Sequence, residues 1–564
     1  MTRIVATARR RPTVPTSFDT HEVFNQTPPF ADVNLAALDA PLLDALAANG
    51  IDPISGGLLS FGETWGTGEQ LDLGRIANEN PPRLRTFDPR GFRADVVEFH
   101  PAYHALMQAS VEAGLHASTW DGESGEHAAG HGRSHVARSA RHFIVAQVES
   151  GHLCPITMTH ASVAALAAAP ERLRDWLPLV RSRQYDPRFL PFWEKRGVTL
   201  GMGMTEKQGG TDVRANTTRA EATGSDEYEI TGHKWFMSAP MCDAFLVLAQ
   251  AAGGLTCFLV PRFRPDGNVN ALRFQRLKDK LGNRSNASSE VEFTGAFAWR
   301  VGEEGKGVRT IIEMVQLTRL DCVSGSAGLA RMALALAVHN ARHRSVFRRK
   351  LVDQPAMRAV LADLALEVEA TTALTLRLAR SFDLAGTDRS EAARARVLTP
   401  AAKFIVCKAA PGLVYEAMEC LGGNGYVEES PLPRIFREAP VNAIWEGSGN
   451  VMALDVLRAA SREPEAIASV LVTLAEETRD LPGATEAVQD VETVLASGNA
   501  EAHARMATER LALLAATAAL ARSAPGGIAE AYARSRLLAP RRMIGANALG
   551  KLADGLIGRA LPFL

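Results

Sequence analysis

A single carboxylate stands between an aromatic residue and a flexible turn in the segment NAIWEGSGN. Glu446 follows Trp445 and precedes Gly447, Ser448 and Gly449. Burial in an apolar pocket disfavours the charged form of a glutamate, so this residue could remove a proton from carbon. An acidic side chain beside a helix start could equally be a helix cap. The segment alone leaves both interpretations open.

A glycine-rich turn, TEKQGGTD, lies ahead of a region of short strands. Thr205, Gly209, Gly210 and Thr211 place small side chains and free backbone amides close together. Amides in such a turn can cradle a phosphate or the oxygen at the edge of a ring. Glycine is also common in turns that bind nothing, so this motif is open to two interpretations as well.

The segment GHKWFMS has the residue types of a β-strand. Strict alternation places Trp235 and Met237 on one face of the strand and Phe236 and Ser238 on the other. A planar cofactor could lie against this strand. A tryptophan on a strand is also a common core residue.

In this order the three segments resemble the acyl-CoA dehydrogenase family, over roughly residues 35–455. The family's TEPxAGSD flavin motif appears as TEKQGGTD, its WIT-type strand as WFMS, and its base-bearing YEGTSEIQ segment as WEGSGNVM. Its LGGxGY motif appears as LGGNGY, and its R-x-x-F-G clamp as RSVFR. The strings CPITMT, LKDKLGNRSNAS and NAIWEGSGN resemble the AidB-like subfamily in particular.

The resemblance implies non-covalently bound FAD and a mechanism in which Glu446 removes the α proton of an acyl-CoA while the β hydride passes to the flavin. Arg319 would then lie on the CoA side. Arg344 would reach the FAD of a neighbouring subunit, which implies at least a dimer and, by family habit, a homotetramer. The residues expected at the flavin are Met202, Met204, Thr205, Gly210, Thr211, Phe236, Ser238, Arg344, Phe347, Gly422, Gly423, Trp445, Gly447, Gly449 and Asn450.

Three positions depart from the family pattern. Lys207 replaces the proline of the flavin motif, Trp445 replaces the tyrosine beside the base, and Arg348 replaces the last glycine of the clamp. These changes leave the shape of the substrate and the geometry of the clamp open.

Hydrophobic periodicity divides the chain into regions. Apolar residues recur at helical spacing over 35–195, the period changes to two around residue 225 within a region taken as 196–305, and helical spacing returns over 306–455. We predict an N-terminal arm (1–34), an all-helical domain, a central antiparallel β-domain, a helix bundle with one helix starting near Pro400, and a C-terminal helical extension (456–564). The predicted class is α+β, mainly α, with the acyl-CoA dehydrogenase fold that the resemblance implies.

The extension changes charge along its length. Acidic residues predominate between 455 and 509, and basic residues predominate from Arg522 onward. A basic helical end could contact phosphates, and AidB-like proteins are understood to bind double-stranded DNA in the alkylation-damage response, with weak acyl-CoA dehydrogenase activity. The expected DNA contacts are Arg458, Arg536, Arg541 and Arg542. Two alternatives stay open: a solvated helix face, and a metabolic dehydrogenase of short or branched acyl thioesters without DNA binding.

Composition excludes several other classes. With 46% hydrophobic and 22% charged residues and a net charge of −1, the chain has the balance of a globular enzyme rather than a disordered or fibrous protein. Its six cysteines have no metal-ligand spacing, and the histidines of GESGEHAAGHGRSH favour a solvated loop over a metal site. The sequence lacks both an uninterrupted apolar run of about 18 residues and a secretory signal, so we expect a cytoplasmic protein without a membrane span.

Overall fold

The computed structural model describes residues 20–54, 56–121, 134–539 and 549–562. These ranges are mainly helical around a central β-domain, as predicted. Residues 1–19 of the predicted arm lie outside them, as do the loop histidines His127 and His131.

The N-terminal region contains a β-hairpin among its helices, so the prediction of an all-helical domain was wrong. Strand β1 (Arg83–Phe87) pairs with β2 (Arg93–Glu98). The carboxylate of Asp88 accepts from the amides of Arg90 and Phe92 at 2.8 and 2.9 Å, and these bonds close the turn between the strands. The helices are α1 (Ala40–Ala48), α2 (Leu58–Trp65), α3 (Gly68–Glu79), α4 (Pro101–Glu112), α5 (His135–Val148), α6 (Leu153–Leu166) and α7 (Pro170–Val180).

The β-domain is a sheet whose pairings close into a barrel. The strands are β3 (Leu200–Gly203), β4 (Arg219–Ala222), β5 (Glu227–Ser238), β6 (Ala244–Ala251), β7 (Gly254–Pro261), β8 (Leu272–Leu277) and β9 (Ser288–Val301). Strand β6 pairs with β4, β4 with β5, β5 with β9, β9 with β7, and β7 with β6, while β3 pairs with β6 and β8 with β9. Most pairs are antiparallel, but β3 and β4 each pair with β6 in parallel.

A bundle of long helices follows the β-domain. Helix α10 begins at Arg389, well before Pro400, which corrects the predicted start; the Asp388 carboxylate accepts from the amides of Ser390 and Glu391 and caps it. The bundle consists of α8 (Gly307–His343), the short hairpin β10 (Ser345–Val346) and β11 (Arg349–Lys350), α9 (Pro355–Leu384), α10 (Arg389–Cys420), α11 (Gly423–Tyr426), α12 (Pro431–Glu438) and α13 (Gly449–Arg462).

The C-terminal extension packs directly on this bundle. Helix α16 (Ala500–Ser523) contacts α9, α10 and α13, and α18 (Leu552–Ala560) contacts α9. Apolar side chains of α16 such as Leu511 and Leu514 belong to the same hydrophobic core as the bundle helices. The remaining helices of the extension are α14 (Pro464–Glu477), α15 (Ala484–Ala496) and α17 (Ile528–Tyr532), the last followed by a π-helical turn over Ala533–Leu538.

A buried ion pair joins three helices at the centre of the chain. The Arg138 guanidinium of α5 binds both carboxylate oxygens of Asp321 of α8 at 2.6 and 2.7 Å, and the Thr157 hydroxyl of α6 donates to the same carboxylate at 2.7 Å. Burial raises the pKa of Asp321, but the Arg138 charge and His142 outweigh it and hold that pKa well below its usual range. Asp321 is therefore ionised and fully engaged inside the core.

Two described helices are long and apolar enough to cross a membrane, α8 and α10. Their most apolar windows are 94% and 83% buried inside the fold, which is the pattern of core helices. All six cysteines are buried with free thiols.

Candidate active site

Glu446 lies in a tightly held loop between the bundle helices. This Glu446 loop, residues 444–448, joins a 3-10 turn at Ala439–Ala443 to α13. Glu446 has a φ of 57°, in the left-handed region that is uncommon for a residue with a side chain. Gly447 has a φ of 103°, a backbone conformation that residues with a side chain rarely adopt, so this position favours glycine.

The Glu446 carboxylate is buried and points at α8. The Thr318 hydroxyl donates to Glu446 Oε2 at 2.7 Å. Burial raises the pKa of Glu446, against the lowering effects of the Thr318 hydrogen bond and of the Lys403 and Arg319 charges. The N-cap of α13 is Ser448 rather than Glu446, so this arrangement favours the proton-acceptor interpretation over the helix cap.

Two buried cations bind the backbone of the loop. The Lys403 ammonium of α10 donates to the carbonyl oxygens of Trp445 and Gly447 at 2.8 and 2.7 Å. Arg319 Nε donates to the carbonyl oxygen of Glu446 at 3.1 Å. Sequence analysis missed Lys403, because a lysine in a long helix has no local pattern that sets it apart.

Arg319 was predicted to contact the substrate, but in the structure it supports the Glu446 loop. Its guanidinium is buried and forms an ion pair with Asp455 of α13 at 2.7 Å. The same carboxylate accepts from Arg458 at 3.2 Å. Arg458 is one of the predicted DNA contacts, and its half-exposed side chain is thus bound to this ion pair. Arg319 is therefore held between the backbone of the Glu446 loop and helix α13.

Strand β5 carries a bulge where alternation was predicted. Lys234 pairs with Val291 of β9 and Met237 with Ser289, so three steps on β5 match two on β9. Lys234 and Met237 are consequently both buried, and Trp235 does not share the face of Met237. Phe236 is 49% exposed at this point, and the Ser238 hydroxyl lies 3.3 Å from that of Ser288.

The glycine-rich turn is fixed beside this strand. The Trp235 amide donates to the Thr205 carbonyl at 2.8 Å, and the buried Glu206 carboxylate pairs with Lys234 at 2.8 Å. A Cβ atom at Gly210 would lie 2.5 Å from Thr205 Oγ1, so the close turn requires glycine. Thr211 is exposed, and Met202 and Met204 are half-buried. Exposed small residues next to aromatic side chains fit the phosphates and the planar ring of FAD.

The residues predicted to reach a neighbour's FAD lie on the surface of the bundle. Phe347 is 94% exposed with a φ of 50°, and Tyr426 is 81% exposed. Gly422 and Gly423 are exposed as well. Arg344 donates to the Asn25 carbonyl at 2.9 Å, next to this surface.

The other predicted residues of the loop face protein partners. Trp445 Nε1 donates to the Asn442 side chain at 2.9 Å, and its ring packs against the core of the β-domain. Asn450 Oδ1 accepts from Arg505 of α16 at 2.8 Å, so its side chain is engaged by the extension. Gly449 opens α13.

In the part of the basic end that the structure describes, several arginines form internal pairs. Arg536, a predicted DNA contact, is buried and bound to Asp363 and Glu367 of α9, each at 2.8 Å, which overturns its predicted role. Arg559 pairs with Glu369 and Asp44 at 2.7 and 2.8 Å. The predicted contacts Arg541 and Arg542 lie outside the described residues. Local charge counts missed these pairs because the acidic partners are far away in sequence.

Three family models match successive parts of the chain. They are the adaptive response protein AidB N-terminal domain over residues 25–187, the acyl-CoA dehydrogenase middle domain over 201–296 and the acyl-CoA dehydrogenase C-terminal domain over 305–461. They follow one another without overlap in the order of the family's domains.

Individual relatives agree with these matches. AidB of Escherichia coli (strain K12) is 52% identical over 449 residues, which cover 79% of this chain and 81% of that protein. The crystal structure of Caenorhabditis elegans ACDH-11 in complex with C11-CoA has a TM-score of 0.79 at 27% identity, covering 94% of this chain and 96% of that one. An acyl-CoA dehydrogenase from Bacillus anthracis complexed with FAD shares the fold, with a TM-score of 0.60 at 17% identity over 81% and 82% of the two chains.

The matched domains cover the glycine-rich turn, the bulged strand and the Glu446 loop, and the relatives extend over most of both chains. The chain belongs to the AidB-like branch of the acyl-CoA dehydrogenase family, the members of which are FAD-dependent oxidoreductases.

Proposed function

We propose that this protein dehydrogenates an acyl-CoA thioester between its α and β carbons, with Glu446 as the base. The observation that carries the proposal is the buried Glu446 carboxylate, which has a raised pKa and a single hydroxyl donor, Thr318, at 2.7 Å. Glu446 accepts the α proton, and the β carbon loses a hydride as the double bond forms. Bound FAD supplies the acceptor for that hydride.

The protein's own residues prepare this step. Thr318 orients the carboxylate, while Arg319 and Lys403 fix the loop that carries it. Ser238, Phe236 and the turn at Thr205–Thr211 would hold the flavin ring and phosphates. Trp445, which stands where the family has a tyrosine, directly precedes the base, and we propose that it sets the accepted chain length, with short or branched acyl chains preferred.

A titration of the FAD-loaded protein with acyl-CoAs tests the proposal. Butyryl-CoA, isovaleryl-CoA and a C11 acyl-CoA should each be added without oxygen while the flavin absorbance is followed. We expect bleaching with the short and branched thioesters. An unchanged flavin spectrum with every thioester would reject the proposed dehydrogenation.

The clamp on the bundle surface supports a proposed homotetramer in which each FAD touches two subunits. We expect Arg344→Ala to weaken FAD retention about tenfold or more, because a charge-assisted hydrogen bond to phosphate is lost. The measurement is the FAD content after gel filtration at decreasing protein concentration. Arg349→Ala, on the same hairpin, is the control, and equal FAD loss in both variants would contradict the clamp.

We also propose that the protein is cytoplasmic and that it has a second function, the binding of duplex DNA in the alkylation response that is expected of an AidB-like member. Its support is the name of the matched N-terminal family and the arginines near the C-terminus. Since Arg536 is bound to acidic residues of α9, the DNA-binding hypothesis depends mainly on Arg541 and Arg542. Arg458, which is half-exposed and paired with Asp455, would make the smaller contribution.

We expect the double variant Arg541→Ala/Arg542→Ala to reduce the salt dependence of DNA binding. Each phosphate contact contributes a slope of about −0.9 in log affinity against log salt, so the slope should fall by about 2 per subunit engaged. Fluorescence anisotropy with a labelled duplex at several salt concentrations measures it, with Arg534→Ala as the control. No binding by the unaltered protein at low salt would leave the metabolic dehydrogenase as the only function.

A further inference from the structure

We propose that Lys403 is a positioning residue for proton transfer, which holds Glu446 in place through the two carbonyl groups that flank it. The inference rests on the proposed role of Glu446 as the base. Lys403 lies in the middle of α10, and its side chain is 1% exposed. A lysine buried this deeply costs free energy unless its ammonium is well hydrogen-bonded, so its partners show what it does.

Those partners are backbone atoms of the Glu446 loop. The ammonium donates to the Trp445 carbonyl at 2.8 Å and to the Gly447 carbonyl at 2.7 Å. With Arg319 on the Glu446 carbonyl at 3.1 Å, three successive carbonyl groups are bound by buried cations. The loop is thereby fixed in the left-handed conformation that Glu446 adopts and that an unsupported glutamate would seldom keep.

Lys403 also supplies one of the two positive charges that act on the Glu446 carboxylate, the other being that of Arg319. Arg319 is paired with Asp455 at 2.7 Å, whereas no ion pair of Lys403 within 4.0 Å occurs among the described residues. Two ionisable thiols of the described residues also lie near Glu446, those of Cys154 on α6 and Cys322 on α8. Burial raises the pKa of both thiols, so neither carries charge at neutral pH.

The support of the loop and the charge near the carboxylate should each be visible in the kinetics. Replacing Lys403 by methionine, which has a similar length but no charge, should release the loop and remove the first of the two charges that lower the Glu446 pKa. We expect kcat to fall by about 10²-fold, because a base displaced by an ångström loses that much. The acid limb of kcat/KM should move to higher pH by about one unit, since an opposite charge nearby shifts a carboxyl pKa by that amount or more.

The variants to compare are Lys403→Met, Lys403→Arg and, as a matched control, Lys306→Met at an exposed lysine before α8. Lys403→Arg keeps the charge and should keep the position of the acid limb even where kcat falls. If Lys403→Met fails to fold, Lys403→Gln and Lys403→Arg provide the comparison. A folded, uncharged variant with an unchanged acid limb and unchanged kcat would overturn the inference.

A measurement without turnover separates this inference from the proposed function. Infrared difference titration of the carboxyl band, with Glu446→Gln as the blank, follows the protonation of Glu446 directly. A higher midpoint in Lys403→Met than in the unaltered protein supports the inference even if no thioester is oxidised. Equal midpoints would overturn it, whereas acyl-CoA oxidation that survives in Glu446→Gln would overturn the proposed function instead.

Discussion

Glu446→Gln is expected to reduce acyl-CoA-dependent flavin reduction by about 10³-fold or more while FAD stays bound. The amide keeps the size of the side chain and can still bond to the Thr318 hydroxyl, but it cannot accept the α proton. Rapid-mixing absorbance of the flavin with a reactive acyl-CoA measures the change. Reduction at an unaltered rate would transfer the role of base to another residue.

The same carboxylate should set the acid limb of the pH profile. Burial raises the pKa of Glu446, and only the deprotonated form can accept a proton. The value of kcat/KM should therefore fall as pH decreases through that raised pKa, at a higher pH than an exposed glutamate would give. Thr318→Val removes a hydrogen bond that lowers the pKa, so its acid limb should move further upward.

Arg138→Met is expected to lower the free energy of unfolding by about 3–5 kcal/mol, because it leaves the Asp321 charge in the core without its cation. The Thr157 hydroxyl is too weak a donor to compensate for that loss. Urea unfolding followed by circular dichroism measures the change at neutral pH. Arg75→Met is the matched control, because Arg75 pairs with Asp72 and Glu79 on the exposed face of α3, and its loss should cost less than about 0.5 kcal/mol.

The difference between Arg138→Met and the unaltered protein should depend on pH. The pKa of Asp321 is held below its unfolded value, so the pair contributes stability above about pH 4 and loses it progressively below. The two proteins should therefore become more alike in acid. A stability difference that stays constant down to about pH 2 would show that Arg138 acts by packing alone.

Local sequence was sufficient for the parts of the site in which a few consecutive residues determine the conformation. Gly210 is favoured by its close approach to Thr205 and Gly447 by its positive φ, and both were identified from sequence. The hydrophobic periodicity and the turn-forming residues likewise predicted the central β-domain and the long helices. The flavin contacts named from sequence stay predictions, because they depend on how FAD lies against the turn and the strand.

Features that depend on distant partners were missed or misjudged. Lys403 contacts a loop more than forty positions later, and Arg536 meets Asp363 and Glu367 about 170 positions earlier. The bulge in β5 depends on its register with β9, and the capping of α10 by Asp388 outweighed the proline inside that helix. In each case tertiary contacts decided what a local pattern left open.

The shared core of the bundle and the extension determines how the two proposed activities can be tested separately. Leu511 and Leu514 of α16 pack with the bundle helices, and Arg505 reaches the first turn of α13. A chain cut after α13 would expose apolar flanks of α9 and α10 to water, so it would tend to aggregate and would lose its support next to Glu446. The proposed catalysis and the proposed DNA binding should therefore be dissected by point substitution on the intact chain, and heating should melt both parts in one cooperative transition.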